Sequence, residues 1–540
     1  MRNRPFPIYT ISPYETLEEL LIFVKEKYGN RIAFRTRYRK QEKSYSFKRL
    51  YDDVTKLAAY CNRTYGIGNK IAVLGENSYL WVISYFAIVG SGNVVVPIDK
   101  ELSSHDIADL LDDCQCNLLF HSAEYADIAY ELAEIKPTCS FVAMPELEKQ
   151  IAIMTTGTFT KASPTDVAAI VYTSGTTGRC KGVMLSQKNI CADTQAACMF
   201  IELYGRTLAM LPFHHTFAFT VSVLANIYYG VDTLICHSLK NVTALISDFK
   251  PTYLAVVPMI VEKVDKGILG KIEKSGKKEL LSLLDKVCKP FDALNINLRS
   301  RCFSSIRNGL GGELDFIICG GAPIDQKIID RFETYGITIL NGYGISECSP
   351  VVSVNRRYHH CPDSIGQALP GVQVQIDAPN ERGEGEICVR GEIVMQGYFN
   401  MPDETEATLT DGWFHTGDLG TIDAEGFIHI TGRLKNLIIL SNGKNVSPEE
   451  LENLITRIPG VAEVLVYEEE RQLVAEIFPD QEFRPSCGDI EAYLNAAIAQ
   501  LNDTLPPYKA IARVKLRDTE FEKTTTKKIK RTYNTHKQEV

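Results

Sequence analysis

The string YTSGTTGRCKGV, residues 172–183, closes one β-branched run, VAAIVY at 167–172, and its composition decides how the chain is read. A strand is expected over 167–172, and in parallel α/β sheets ligands bind at the carboxyl ends of strands. Gly175 and Gly178 allow close backbone approach to an anion. Thr173, Ser174, Thr176 and Thr177 supply hydroxyls, and Lys181 supplies charge. Only two residues separate the glycines and Lys181 comes later, so this is not the GxxxxGK[ST] loop of other nucleotide enzymes. A generic mix of Gly, Thr and Ser would be a flexible turn; the full string at a strand end points to a polyphosphate.

Outward from this loop, β-branched runs at 71–74, 94–97, 233–236, 253–257, 316–319 and 337–340 alternate with helical patterns such as 79–88 and 104–111. That alternation predicts parallel sheets covered by helices. Leu17, Leu20, Leu21 and Val24 have helical spacing and end at Gly29, a C-terminal cap. The texture changes after about residue 432. Ser447, Pro448 and Glu450 read as N-cap, first helical residue and capping-box acid. Strands at 461–467 and 472–477 and a helix at 490–501 complete a small α+β domain. The lysine-rich stretch 266–282 reads as a surface excursion.

With 540 residues the chain is too long for one core. Its net charge of -9 argues against a nucleic-acid binder. The 15 scattered cysteines contain no CxxC pair and predict reduced thiols in a cytosol. The N-terminus lacks the apolar core of a signal peptide, and Gly90-Ser91-Gly92 breaks the longest apolar run, 80–98, into a helix and a strand. A cytoplasmic protein with no transmembrane segment is expected, free or peripheral to a membrane. The basic stretch 523–531, with Lys523, Lys527, Lys528, Lys530 and Arg531, would by charge alone be a solvated tail.

The 172–183 string resembles the signature of the adenylate-forming superfamily of acyl-CoA synthetases, peptide-synthetase adenylation domains and luciferases. Further motifs of that family follow in the family's order. LPFHHTFAFT (211–220) resembles the segment in which His215 lies beside the reacting carboxylate and Phe217 lines the acid pocket. GGAPI (320–324) supplies Gly320, Gly321, Ala322 and Pro323 against adenine. NGYGISECSP (341–350) supplies Tyr343 and Gly344 at the adenine, Ser346 in place of the usual threonine, and Glu347 for Mg²⁺ on the ATP phosphates. DGWFHTGDLG (411–420) brings Asp418, matched to the acid that accepts both ribose hydroxyls, with Arg433 beside it. The resemblance implies catalytic roles for Thr173, His215 and Glu347, a hinge at Lys435, and a catalytic lysine at Lys528. It also implies a pantetheine-passing glycine at Gly443. Lys527 replaces the family glycine and is a rival to Lys528.

The resemblance runs roughly from residue 15 to 531 and is greatest to bacterial long-chain acyl-CoA synthetases. It implies an α/β fold: a large multi-lobed N-terminal body of mostly parallel sheets flanked by helices (1–433), a hinge (434–436), and a small mobile α+β C-terminal domain (437–540). The implied activity is ATP-dependent conversion of a medium- or long-chain fatty acid to an acyl-adenylate, then transfer to CoA. Residues 211–220 hold no acid to pair with an α-ammonium, which disfavours amino acids. No carrier domain follows Val540, so free CoA is the expected acceptor. A ligase loading a separate carrier protein, an aryl-acid CoA ligase and an ATP-binding regulator without turnover are the alternatives.

Overall fold

The computed structural model describes residues 8–38, 41–173, 180–237, 242–276, 278–293, 298–440, 445–481, 483, 488–523 and 529–531. Two compact units emerge. The first spans 1–374, 389–414 and 424–428; the second takes 375–388, 415–423 and 429–540.

Three sheets build the first unit. The largest has seven strands in the order Gly397–Tyr398, Lys181–Ser186, Val167–Thr173, Val94–Pro97, Lys70–Leu74, Leu118–His121 and Ser140–Ala143. Its last five strands pair in parallel, while Lys181–Ser186 returns antiparallel to Val167–Thr173. A second sheet runs Tyr253–Val256, Phe316–Cys319, Thr338–Gly344, Val351–Val354 and Gln367–Ala368, parallel for the first three. The third places Ile32–Tyr38 between Gln41–Ser46 and Asp232–Ile235, with Arg206–Ala209 at the edge. The expected strands are therefore present, and each of these sheets has antiparallel pairing toward one edge only.

The apolar run at 80–98 does divide as its glycines predict. Tyr79–Gly90 is a helix capped by the Ser78 side chain, and Val94–Pro97 is a strand. Almost every residue of that helix is buried, because it is apolar on all faces. Among the described residues no helix is long and apolar enough to cross a membrane. Trp81, 1% exposed, meets the rings of Phe213 and Phe219 at 5.7 and 5.8 Å, and Tyr85 meets Phe219 at 4.0 Å. These contacts fix the chain on both sides of His215 and Phe217.

The described residues of 266–282 are mostly exposed, as expected of a surface excursion, and they lie in the helices Pro258–Ser275 and Lys278–Ala293. Ile260, Val261, Val264 and Ile268 make an i, i+4 stripe that docks the first helix on the core, leaving the lysines outside. Pro448–Ile455 does start after Ser447, but no capping box forms. The Ser447 hydroxyl instead donates to the Thr431 carbonyl at 2.8 Å, a tertiary contact that outcompetes the local one.

In the second unit Val461–Glu469 pairs antiparallel with Gln472–Pro479, which pairs in parallel with Arg513–Leu516. Leu451, Ile455, Val466, Ile477, Leu494 and Ile498 form its core, as expected of a small α+β domain. Trp81→Ala should cost about 3–5 kcal/mol, since it empties a full aromatic volume from a close-packed site. Urea unfolding of the first unit would check this.

Candidate active site

Thr173 ends one strand and Lys181 begins its antiparallel neighbour, directly opposite in register. Ser174, Gly175, Thr176, Thr177 and Gly178 lie outside the described residues. Among the described residues a strand, Lys181–Ser186, and not a helix, follows this segment. Lys181 pairs with Glu404, and its ammonium stands 5.0 Å from the ring centroid of Tyr398.

Tyr398 in turn donates to Glu347 Oε1 at 2.9 Å. Glu347 is 7% exposed and lies in the single 3-10 turn Ser346–Cys348, closed by the Ile345 amide donating to the Pro350 carbonyl at 2.9 Å. Gly344 is required at this closure: an added Cβ would lie 2.1 Å from the Pro350 oxygen. Burial, and then the neighbouring Glu347 charge, push the Tyr398 phenol well above its ordinary value, so it remains a donor. Tyr398 and Glu404 were not foreseen. They join Glu347 and Lys181 from a segment remote in sequence that carries no motif of its own.

His215 is the half-buried N-cap of the short helix Thr216–Phe219. Its neighbour His214 is buried, with Nε2 3.3 Å from Asp99 Oδ1, and the two imidazole rings lie 4.1 Å apart. The doublet thus divides: His214 is buried and lines a small cavity, and His215 is the more accessible. Asn77, also unforeseen, holds this segment by donating to the Leu211 carbonyl at 2.7 Å and accepting from the Phe213 amide at 3.0 Å. Thr216 Oγ1 lies 3.2 Å from Ser346 Oγ, joining the histidine segment to the Glu347 turn.

A cavity of about 20 Å³ lies beside this segment. Tyr85, Val171, Leu185, Phe213, Phe219 and Thr220 line it, and no acidic, lysine or arginine side chain does. Helical hydrogen bonding loosens to a π-turn over Thr220–Leu224 alongside it, a geometry that recurs at functional sites.

Gly320 follows the strand Phe316–Cys319, and a Cβ there would come within 3.1 Å of the Phe217 ring. Phe217 also packs on the core of the second sheet. Gly321, Ala322 and Pro323 are exposed, with Gly321 at a φ of 86° that favours glycine. Half-buried Tyr343 and exposed Gly344 end the neighbouring strand Thr338–Gly344. The first unit thus brings Thr173, Lys181, His215, Phe217, Gly320 to Pro323, and Tyr343 to Glu347 to strand ends and the loops after them.

In the second unit Asp418 is 2% exposed and pairs with Arg433, Nε to Oδ1 at 2.8 Å. Lys435 is exposed in the 3-10 turn Leu434–Asn436. Gly443, Lys527 and Lys528 lie outside the described residues.

Strand-end glycines, a buried carboxylate and a lysine beside hydroxyl-rich sequence define an α/β enzyme that handles a nucleotide polyphosphate. The AMP-binding enzyme family matches residues 24–399, and the C-terminal domain of AMP-binding enzymes matches residues 435–540. The chain belongs to the AMP-binding enzyme family. It is 28% identical over 519 residues to a long-chain-fatty-acid–CoA ligase of Mycobacterium bovis, covering 86% of each chain. It is 30% identical over 410 residues to a feruloyl-CoA synthase of Amycolatopsis, covering 73% of this chain and 74% of the relative. ATP-bound MatB from Rhodopseudomonas palustris shares the fold at a TM-score of 0.77 and 23% identity, with 96% of this chain and 98% of that one covered.

Burial, reinforced by the adjacent His215, pushes the His214 imidazolium down to about 3 from an ordinary 6.5. Between those values the unfolded chain binds a proton that the folded chain refuses. The stability contributed by neutral His214 is therefore present above pH 6.5 and is lost as pH falls toward 3. Urea midpoints of His214→Asn should fall less steeply than those of the parent as pH drops through this window.

Proposed function

We propose that the chain is an AMP-forming acid–thiol ligase, an acyl-CoA synthetase for medium- or long-chain fatty acids. The carrying observation is the buried Glu347, held by Tyr398 and tied to Lys181 through that same ring. A buried carboxylate on a doubly fastened turn is suited to Mg²⁺, which takes one or two protein carboxylates and completes its shell with phosphate oxygens and water. When bound, Mg²⁺ supplies charge neutralisation to the phosphates. Glu347 would hold it, and Ser346 offers a hydroxyl beside it.

The remaining roles are those that the motifs' resemblance to the family implies. Lys181 and the hydroxyls of Thr173, Ser174, Thr176 and Thr177 grip the β- and γ-phosphates through the backbone freedom of Gly175 and Gly178. Gly320, Gly321, Ala322 and Pro323 present backbone to adenine, with Tyr343 and Gly344 on its other side. Asp418, oriented by Arg433, accepts the ribose hydroxyls. His215 orients the acid carboxylate, and Phe217 walls its pocket.

A carboxylate oxygen attacks the α-phosphorus and pyrophosphate leaves. The CoA sulfur then attacks the acyl carbon and AMP leaves. Lys528 stabilises charge in the first step and must be withdrawn for the second, which gives the hinge at Lys435, the passage at Gly443 and the division 1–433, 434–436 and 437–540 their purpose.

The fatty-acid assignment is supported by the ligase from Mycobacterium bovis. An aryl acid is the second reading, favoured by the feruloyl-CoA synthase of Amycolatopsis.

Acid-dependent pyrophosphate release across aliphatic, aryl and amino acids, with and without CoA, tests the assignment. Long aliphatic acids should lead and amino acids should fail. Pyrophosphate exchange without CoA-dependent AMP release would instead indicate a carrier-borne thiol. Lys528→Ala should abolish adenylation and spare thioester formation from supplied acyl-adenylate, whereas loss only in Lys527→Ala would move the role by one residue. Tyr398→Phe removes one hydrogen bond to a buried carboxylate, a loss of about 1–3 kcal/mol, and should raise the KM for Mg²⁺-ATP.

A further inference from the structure

A short paired stem in the second unit flanks 524–528 in sequence, the segment that carries both candidate lysines. Lys523 and Ile529 form an antiparallel bridge, and the Lys530 amide donates to the Glu522 carbonyl at 2.8 Å. Each side of this stem is fastened by a carboxylate from a different core element. On the entering side, Glu463 of the strand Val461–Glu469 pairs with the Lys523 ammonium and accepts the Phe521 amide at 3.0 Å. On the leaving side, Glu452 of the helix Pro448–Ile455 pairs with the Arg531 guanidinium and accepts the Val466 amide at 2.7 Å. Arg531 also reaches Glu449 at 3.4 Å and donates to the Val466 carbonyl at 3.3 Å.

These are not surface pairs of negligible weight. The Glu452 and Glu463 side chains are only 16% and 15% exposed, and each carboxylate also takes a backbone amide. A carboxylate so shared couples the stem to the sheet and the helix at once. The basic run at 523–531 therefore contains two kinds of cation. Lys523 and Arg531 are anchors, one on each side of Lys527 and Lys528 in sequence.

We propose that Glu463 with Lys523 and Glu452 with Arg531 are positioning pairs that hold the catalytic-lysine segment in register for adenylation, and that thioester formation does not need them. The inference rests on the assignment of the adenylation lysine to Lys527 or Lys528. Positioning is where such a pair has leverage, since a misplacement of about 1 Å can cost a hundred-fold in rate.

The test uses the full-length chain and separates the half-reactions: acid-dependent ATP–pyrophosphate exchange, and CoA-dependent consumption of supplied acyl-adenylate. Glu452→Gln and Glu463→Gln preserve shape and remove charge. Each should lower adenylation by about ten- to a hundred-fold while leaving the thioester step within about two-fold, and the double variant should fall further. An intact thioester step also reports that the second unit is folded. Arg531→Lys, which keeps the charge but loses the fork, should fall between Arg531→Ala and the parent. Equal loss in both half-reactions would reduce the pairs to general stabilisers and overturn the proposal. So would unchanged adenylation in the Gln variants while Lys528→Ala or Lys527→Ala abolishes it. If neither lysine variant impairs adenylation, the functional assignment fails and takes this inference with it.

Discussion

The site depends on holding a carboxylate in place where little water reaches it. A buried carboxylate needs hydrogen-bond partners, since removing it from water without them is costly. Glu347 is fastened by the Tyr398 hydroxyl, and that ring faces the Lys181 ammonium, which Glu404 anchors from its other side. Four residues from three chain segments thus form one polar group, in which the neutral Tyr398 ring stands between Glu347 and the Lys181–Glu404 pair, beside the strands Val167–Thr173 and Lys181–Ser186. Lys181 is held at the start of its strand by that pairing, opposite Thr173. The turn carrying Glu347 is closed on itself, leaving the carboxylate little freedom to wander.

Packing supplies the second constraint. The segment with His215 and Phe217 belongs to no strand, yet it is fixed by rings at both ends, Phe213 and Phe219 against Trp81, and by the Asn77 side chain. Phe217 fills the space that glycine leaves open at 320, so the expected acid-pocket wall and the expected adenine-facing backbone share one contact. A side chain at Gly320 would therefore disturb both. The parallel strands place these loops at their carboxyl ends, and the aromatic core turns that approximate placement into defined distances.

Elements with strong local signals were legible. The helix Tyr79–Gly90, the strand Val94–Pro97 and the helix Ile490–Asn502 match their patterns to within a few residues because periodicity and glycine breaks act locally. The capping box at Ser447 was not formed, because the Thr431 carbonyl claims the hydroxyl. The lysine-rich stretch at 266–282 is largely exposed, as its composition suggests, while the apolar stripe that docks its helix lies mostly before it, at 260, 261 and 264. Tyr398, Glu404 and Asn77 gave no sign at all, since each acts on a partner far along the chain.

Sequence by itself determined the parallel α/β class and the small α+β unit at the end of the chain, which follow from residue type and short-range spacing. The proposed nucleotide roles of Glu347 and Asp418 come from the resemblance of their motifs to the family. Only the tertiary structure decided which member of the His214–His215 doublet is buried, and that Tyr398 fastens Glu347. It also distinguished Lys523 and Arg531 as anchors within a run that by charge alone is a solvated tail. Burial and pairing are properties of the folded environment, and the same side chain is a solvated charge or a fixed one according to what packs around it.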